Sequence, residues 1–232
     1  MSRREAQAFD LVMFDLDGTL VETAPEIQDA VNDTLRRFGL EPVALGDVER
    51  WIGQGTKSLL VQALALRCGV DANAVHRSEL LAPALAAFGH DYARRCGSRS
   101  RLYPRAAEAL AALGERGIKR VLVTNKERRF ADAVLRRHGL DTMLDRVVCG
   151  DTLPTRKPHP AGVLQCMRDF ATPSQRALFV GDSSIDVATA RNAGVAVWAV
   201  TYGYNMGSPI AEWRPDRLID DFNCFVETTT WQ

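Results

Sequence analysis

A chain of 232 residues, 46% hydrophobic and 25% charged, has the composition of an ordinary globular protein with room for one large domain or a core plus a smaller module. Lys plus Arg equals Asp plus Glu at 29 each, so the net charge of zero gives no electrostatic ground for a nucleic-acid partner or a membrane surface, and no run approaches the ~20 apolar residues of a membrane helix. Cys68, Cys96, Cys149, Cys166 and Cys224 form no CxxC pair and read as reduced thiols of a cytoplasmic protein, while Arg3-Arg4 lacks the apolar stretch of a twin-arginine signal because Asp10, Asp15 and Asp17 interrupt it.

The first strand-like run is Leu11 to Phe14, and it leads into Asp15-Leu16-Asp17-Gly18-Thr19. Two carboxylates two residues apart can point to the same side of an extended backbone, where they repel unless a cation or a shared proton sits between them. Gly18 permits a sharp turn and a close ligand. The pattern suits a hard divalent cation beside one nucleophilic carboxylate; alone, it also suits a strand that ends in a polar turn. From about 21 to 98 there is no convincing strand, and the segment reads as helices. Thr23-Ala24-Pro25-Glu26 resembles a capping box with Pro in the first turn. Ile27, Ala30, Val31, Thr34, Leu35 and Phe38 then recur at helical spacing up to Gly39, and further helical patterns cover 56–68 and 72–95. An insert of this kind reads as a lid over a site, or more simply as cover for one face of a sheet.

Beyond 98, strands and helices alternate. Val121 to Thr124, Arg146 to Cys149, Leu178 to Gly181, Val195 to Val200 and Arg217 to Ile219 read as strands, most of them buried on both faces. Helices are expected at 105–116, 127–138, 159–170 and 184–193. The alternation predicts an α/β fold with a doubly wound parallel sheet, in which ligands bind beyond the carboxyl ends of the strands. Asp15, Thr124 and Asp182 fall at such ends. Thr124-Asn125 supplies a hydroxyl and an amide, Arg156-Lys157-Pro158-His159-Pro160 a lysine in a stiffened loop, and Gly181-Asp182-Ser183-Ser184-Ile185-Asp186 two acids one helical turn apart. Singly these are a cap, a surface charge and a first-turn acid; together, in this order at predicted strand ends, they favour a site. His76, His90 and His138 lie on helices without paired ligands and read as surface or core, His159 as shaping its loop, and Trp198 as core.

These four motifs resemble those of the haloacid dehalogenase (HAD) superfamily of phosphotransferases, and the insert resembles that superfamily's helical cap. Arg50-Trp51-Ile52-Gly53-Gln54-Gly55, Val200-Thr201-Tyr202-Gly203-Tyr204-Asn205, Pro215-Asp216 and Leu218-Ile219-Asp220 narrow the resemblance to the phosphoglycolate phosphatases. It spans about residues 9 to 226 and implies a Rossmann-like core of residues 1–20 and 99–232 with a cap of residues 21–98. It implies a magnesium-dependent phosphatase that hydrolyses 2-phosphoglycolate to glycolate and phosphate through an aspartyl-phosphate. In that scheme Asp15 is the nucleophile. Mg2+ is held by Asp15, Asp182 and the backbone carbonyl of Asp17. Asp17 is the general acid and base, and Thr124, the Asn125 amide and Lys157 hold the phosphate. Asp186 supports the magnesium waters or Lys157. Arg50 and Lys57 flank the Gly53-Gln54-Gly55 turn as candidate partners of the glycolate carboxylate. Arg50 is preferred for its bidentate geometry, although it also reads as a solvated helix-end charge.

Glu22-Thr23 in place of Asp-Ser, Arg105 in place of a common Gly, and Gly162 in place of a frequent Pro depart from the family pattern without removing a catalytic group. They bear on substrate preference. The alternatives are a phosphatase for another small sugar phosphate or pyrophosphate, or a beta-phosphoglucomutase-like phosphomutase, whose members usually carry Val in place of Thr19. A dehalogenase would need no acid at Asp17. The implied partner is a small phosphomonoester, and monomer and homodimer both stay open.

Overall fold

Successive side chains of Leu11–Phe14 (β1) point to opposite faces, and all four are buried. Val12 and Phe14 enter one apolar cluster, Leu11 and Met13 another, so the strand is covered on both sides. In the computed structural model, which describes residues 9–227, the chain turns after β1 and forms Val21–Glu22 (β2). β2 pairs antiparallel with Arg101–Leu102 (β3). This corrects the expectation of a strand-free segment from 21 onward: a two-residue strand is too short to carry a period, and its partner is remote in the chain.

Between β2 and β3 lie five helices: Ala24–Arg37 (α1), Leu45–Trp51 (α2), Thr56–Cys68 (α3), Ala72–Arg77 (α4) and Leu81–Arg95 (α5). They enclose their own apolar cluster, with Val31, Leu35, Leu60, Leu64 and Phe88 at its centre. The pattern over 72–95 divides into two helices because Ser78 is extended, and α2, which is short and carries only one fully buried residue, has no detectable period.

The expected capping box at the start of α1 does not form. Thr23 makes no side-chain bond to the helix; its hydroxyl donates to Asp17 Oδ1 at 2.6 Å. The Tyr204 hydroxyl accepts the N–H groups of Thr23 and Ala24 at 2.9 and 3.0 Å. Glu26, fully buried, instead accepts from the N–H groups of Gly97, Arg99 and Ser100 at 3.0, 3.2 and 3.0 Å. The helical unit is therefore fastened at both ends, outgoing by Tyr204 and returning by Glu26.

The remaining strands are Lys119–Val123 (β4), Arg146–Val148 (β5), Ala177–Gly181 (β6), Ala196–Val200 (β7) and Arg217–Ile219 (β8). With β1 they form a six-stranded sheet in the order β5-β4-β1-β6-β7-β8, every pair parallel. Ala106–Glu115 (α6), Arg128–Arg137 (α7) and Asn223–Val226 (α10) pack one face through Leu110, Val134 and Phe225. Ala161–Asp169 (α8) and Ser184–Ala193 (α9) pack the other through Val163, Cys166 and Val187. This is the doubly wound sheet expected, with each strand and helix predicted beyond 98 found within two residues of its bounds; the four-residue α10 was not expected. The order reverses across β1: the chain runs from β1 to β4 and β5, then crosses to β6. That crossing places a ligand crevice beyond the carboxyl ends of β1, β4 and β6. Among the described residues no helix is long and apolar enough to cross a membrane; Arg3-Arg4 lies outside them.

Candidate active site

The residue after β1 is Asp15, the residue after β4 is Thr124, and the residue after β6 is Asp182, so three adjacent strands deliver their polar ends to one place. Asp186 joins them from the first turn of α9, where Ser183 is the N-cap. One Asp186 oxygen accepts from the N–H groups of Asp182 and Ser183 and from the Ser183 hydroxyl at 3.2, 3.0 and 2.7 Å. Its other oxygen accepts from Lys157 Nζ at 2.6 Å. Lys157 also lies 2.8 Å from Asp15 Oδ1. That pair is out of line for a hydrogen bond, so Asp15 Oδ1 is buried without a donor.

Asp15, Asp182 and Asp186 are all buried, and each offers a carboxylate oxygen within 4.8 Å of the others. Burial is the main force on these groups. It pushes Asp15 up to about 6 against the pull of Lys157. It pushes Asp182 up to about 8, with Asp186 and Asp15 adding repulsion and Tyr204 N–H and Thr19 opposing it. Burial works against the Lys157 ammonium, but Asp15 and Asp186 outweigh it and hold that lysine above its usual range. Three packed carboxylates facing one lysine leave negative charge uncompensated, and their donors are all hard oxygens. The set fits a divalent metal, and of the divalent metals the oxygen-binding class.

Close packing fixes Asp182. It accepts from Thr19 Oγ1 at 3.0 Å and from Tyr204 N–H at 2.8 Å. Gly18 sits against it with φ +88, and a Cβ there would stand 2.5 Å from Asp182 Oδ2, so no side chain is tolerated.

Asp17 faces the other side of the crevice. Its Oδ1 accepts from Thr23 Oγ1 at 2.6 Å and from Lys126 Nζ at 2.8 Å, and its Oδ2 has no hydrogen-bond partner among the described residues. Thr23 thus fills, with a hydroxyl, the place where Ser is usual. The Asn125 side chain was expected to hold phosphate. Both of its amide hydrogens are committed elsewhere, to Gly53 O at 2.9 Å and Lys157 O at 3.0 Å. The N–H of the Asn125 backbone finds no acceptor among the described residues and is the donor left for an anion.

Above these groups lies a small cavity of ≈ 40 Å³. Asp15, Asp17, Thr124, Asn125 and Lys126 form its floor, and the helical unit closes it with Ile27, Trp51, Gly53, Leu59, Phe88 and Tyr92. The structure does not bring Arg50 or Lys57 to it. Arg50 lies in the last turn of α2 with its side chain 57% exposed and its guanidinium 3.4 Å from Asp47, and its stem lies against Gly207. Lys57 is exposed on the first turn of α3. The two are also not alone near the turn: the Arg156 guanidinium reaches over Gly55.

Lys126 went unnoticed in the sequence. It is buried, and its Nζ also donates to the Tyr92 hydroxyl at 2.7 Å. Burial opposes its charge, but Asp17 and its other acidic neighbours prevail and hold it above the usual lysine range. Its adjacency to Thr124-Asn125 was the available signal. Tyr204 links Asp182 to the start of the helical unit.

A protein-family model described as haloacid dehalogenase-like hydrolase matches residues 12–200. Phosphoglycolate phosphatase 1 of Pseudomonas aeruginosa is 41% identical over 211 residues, which cover 91% of this chain and 76% of that protein. The phosphoglycolate phosphatase of Pasteurella multocida is 36% identical over 214 residues, 92% of this chain and 95% of its own. A crystal structure of a predicted phosphoglycolate phosphatase from Haemophilus somnus 129pt aligns with a TM-score of 0.89 at 34% identity, covering 96% of this chain and 98% of that one.

Proposed function

The chain belongs to the haloacid dehalogenase-like hydrolase family, and on that premise we propose that it is a cytoplasmic, magnesium-dependent phosphatase that converts 2-phosphoglycolate to glycolate and phosphate. The observation that carries the reading is the buried Asp15–Lys157–Asp186 chain beside Asp182, beneath a cavity lined on its far side by the helical unit, in a protein 36–41% identical to relatives named phosphoglycolate phosphatase. In this reading residues 21–98 serve as the cap over a core formed by residues 1–20 and 99–232, of which 1–8 and 228–232 lie outside the described residues.

Phosphate monoesters hydrolyse extremely slowly unaided, so the barrier must be lowered at phosphorus and at the leaving oxygen together. Asp15 attacks phosphorus in line; its oxygen–phosphorus bond forms as the ester bond breaks, giving an aspartyl-phosphate. Asp17, whose Oδ2 has no hydrogen-bond partner among the described residues, delivers a proton to the departing alkoxide. It then takes a proton from the water that attacks the aspartyl-phosphate, releasing phosphate and restoring Asp15. Lys157 offsets charge on the phosphoryl group, and the Thr124 hydroxyl and Asn125 backbone N–H hold its oxygens. Asp186 keeps Lys157 in reach of Asp15. Mg2+ would be held by Asp15, Asp182 and the Asp17 carbonyl, and when bound it supplies positive charge against the carboxylate–phosphate repulsion.

The test is phosphate release across a panel of small phosphomonoesters and pyrophosphate, with magnesium and with EDTA. 2-Phosphoglycolate should give the highest kcat/KM, EDTA should abolish turnover, and Asp15→Asn should fold and be inactive. A folded Asp15→Asn enzyme with wild-type phosphate release, or a clear preference for another ester, would overturn the reading.

A further inference from the structure

This step rests on the phosphoglycolate reading and deepens it. 2-Phosphoglycolate is charged at both ends, and its carboxylate, closed away from water, needs a cationic partner. Arg50 and Lys57 lie outside the cavity. Lys157 is committed at the phosphate end, between Asp15 and Asp186. Among the described residues that line the cavity, Lys126 is the only cation.

We infer that Lys126 recognises the carboxylate of the substrate, and that Tyr92 of the helical unit positions it for that task. Three observations meet here. First, an ammonium has three donors, and Lys126 directs two of them, to Asp17 at 2.8 Å and to Tyr92 at 2.7 Å, leaving one for a ligand. Second, the place is right. Asp17 is the acid assigned to the ester oxygen, and in 2-phosphoglycolate the carboxylate begins two bonds from that oxygen. A cation in contact with Asp17 is therefore within reach of a carboxylate so close to the ester, and not of a charge at the far end of a long sugar. Third, Lys126 belongs to the loop after β4, whereas Tyr92 belongs to α5, so its second anchor comes from the other half of the molecule. Tyr92 is itself held: its ring packs on Phe130 at 4.6 Å between centroids, and its hydroxyl lies 3.4 Å from Glu26. The lysine is aimed only while the helical unit is seated, so recognition of the small anion and closure of the cavity are one event.

The test compares kcat/KM for 2-phosphoglycolate with that for 2-hydroxyethyl phosphate, which keeps the two-carbon body and lacks the carboxylate. In the wild type the ratio should be large. Lys126→Met should lower the ratio about thirtyfold, as expected for a charged hydrogen bond lost in a closed site. Lys126→Arg should recover part of it. Tyr92→Phe keeps the ring and removes only the hydroxyl; it should lower the ratio about fivefold, chiefly by raising KM for 2-phosphoglycolate. A wild-type ratio near one would overturn the substrate assignment itself, and this inference with it. A large wild-type ratio that Lys126→Met leaves unchanged, with both substrates losing activity equally, would overturn the inference alone and make Lys126 only a partner of Asp17. If Lys126→Met does not fold, Tyr92→Phe decides: a lowered ratio supports the assignment and an unchanged ratio rejects it.

Discussion

Glu26 is the sharpest test of how the helical unit is tied down. It is a fully buried carboxylate that makes no direct ion pair among the described residues, and it is stabilised chiefly by three backbone N–H groups of the returning segment, Gly97, Arg99 and Ser100, at 3.0–3.2 Å, with the Tyr92 hydroxyl 3.4 Å away. Glu26→Gln keeps the shape and removes the charge. The best rotamer keeps an oxygen on Arg99 and Ser100 and turns an NH2 group toward the Gly97 N–H. One charge-assisted bond is then replaced by a donor–donor clash, and two bonds fall from charged to neutral strength. Hydrogen bonds to charged groups are worth ~1.5–3 kcal/mol and neutral ones ~1 kcal/mol, while the relief of carboxylate desolvation works the other way. The net expectation is a loss of about 2–3 kcal/mol, or roughly 5–10 °C in Tm for a domain of this size. Thermal unfolding followed by circular dichroism reads this directly. Hydrogen exchange should localise the change, with faster exchange at Gly97 and Ser100 than in β1. A Tm within about 2 °C of wild type would mean that these bonds are readily replaced by water and that Glu26 does not fasten the returning segment.

Three further outcomes are expected. Asp182 binds its proton more tightly folded than unfolded, so in EDTA the wild type should lose stability relative to Asp182→Asn as pH rises between the ordinary 3.8 and about 8; magnesium should then raise the wild-type Tm at pH 8 and leave Asp182→Asn unmoved, and equal shifts in both would refute the metal assignment. Arg105 opens α6 in the left-handed region at φ 67, so Arg105→Gly should raise stability by about 0.5–1 kcal/mol in urea titrations, the strain relieved exceeding the chain entropy added. Gly18→Ala should cost about 2–3 kcal/mol and abolish the magnesium-induced Tm shift, because the new Cβ has a left-handed backbone and Asp182 Oδ2 at 2.5 Å to contend with.

The sheet was readable because its strands are buried on both faces and its helices on one, which writes runs and periods into the chain. What escaped is what depends on distant partners. β2 has two residues and exists because β3 returns beside it. The Thr23–Glu26 spacing matches a capping box, yet both side chains bond elsewhere because better partners arrive: Asp17 for the hydroxyl and the 97–100 segment for the carboxylate. A local motif states which bonds are available, and tertiary structure decides between them.

The same distinction separates the two halves of the site. Asp15, Thr124, Lys157 and Asp182 lie in loops whose positions follow from strand order, so their gathering at one place could be read from type and position. On the proposed reading, selectivity for the rest of the substrate depends on what the helical unit lays across those loops, and spacing within one segment carries no record of that. Arg50 and Lys57 were attractive because they flank the glycine turn in the chain, but α2 directs Arg50 to Asp47 and solvent. The glycine turn contributes its backbone, with Gly53 O receiving the Asn125 amide at 2.9 Å. That bond explains why a polar loop residue is buried with both amide hydrogens occupied: Asn125 joins the helical unit to the lysine loop, and on the proposed reading its backbone N–H is left to face the anion. Asn125→Ala should therefore impair closure as well as phosphate binding. KM should rise for every substrate of the panel, and the preference for 2-phosphoglycolate over 2-hydroxyethyl phosphate should narrow, because Tyr92 no longer aims Lys126 once the unit is unseated. A preference that survives intact while KM rises would show that the seat of the helical unit does not depend on this bond.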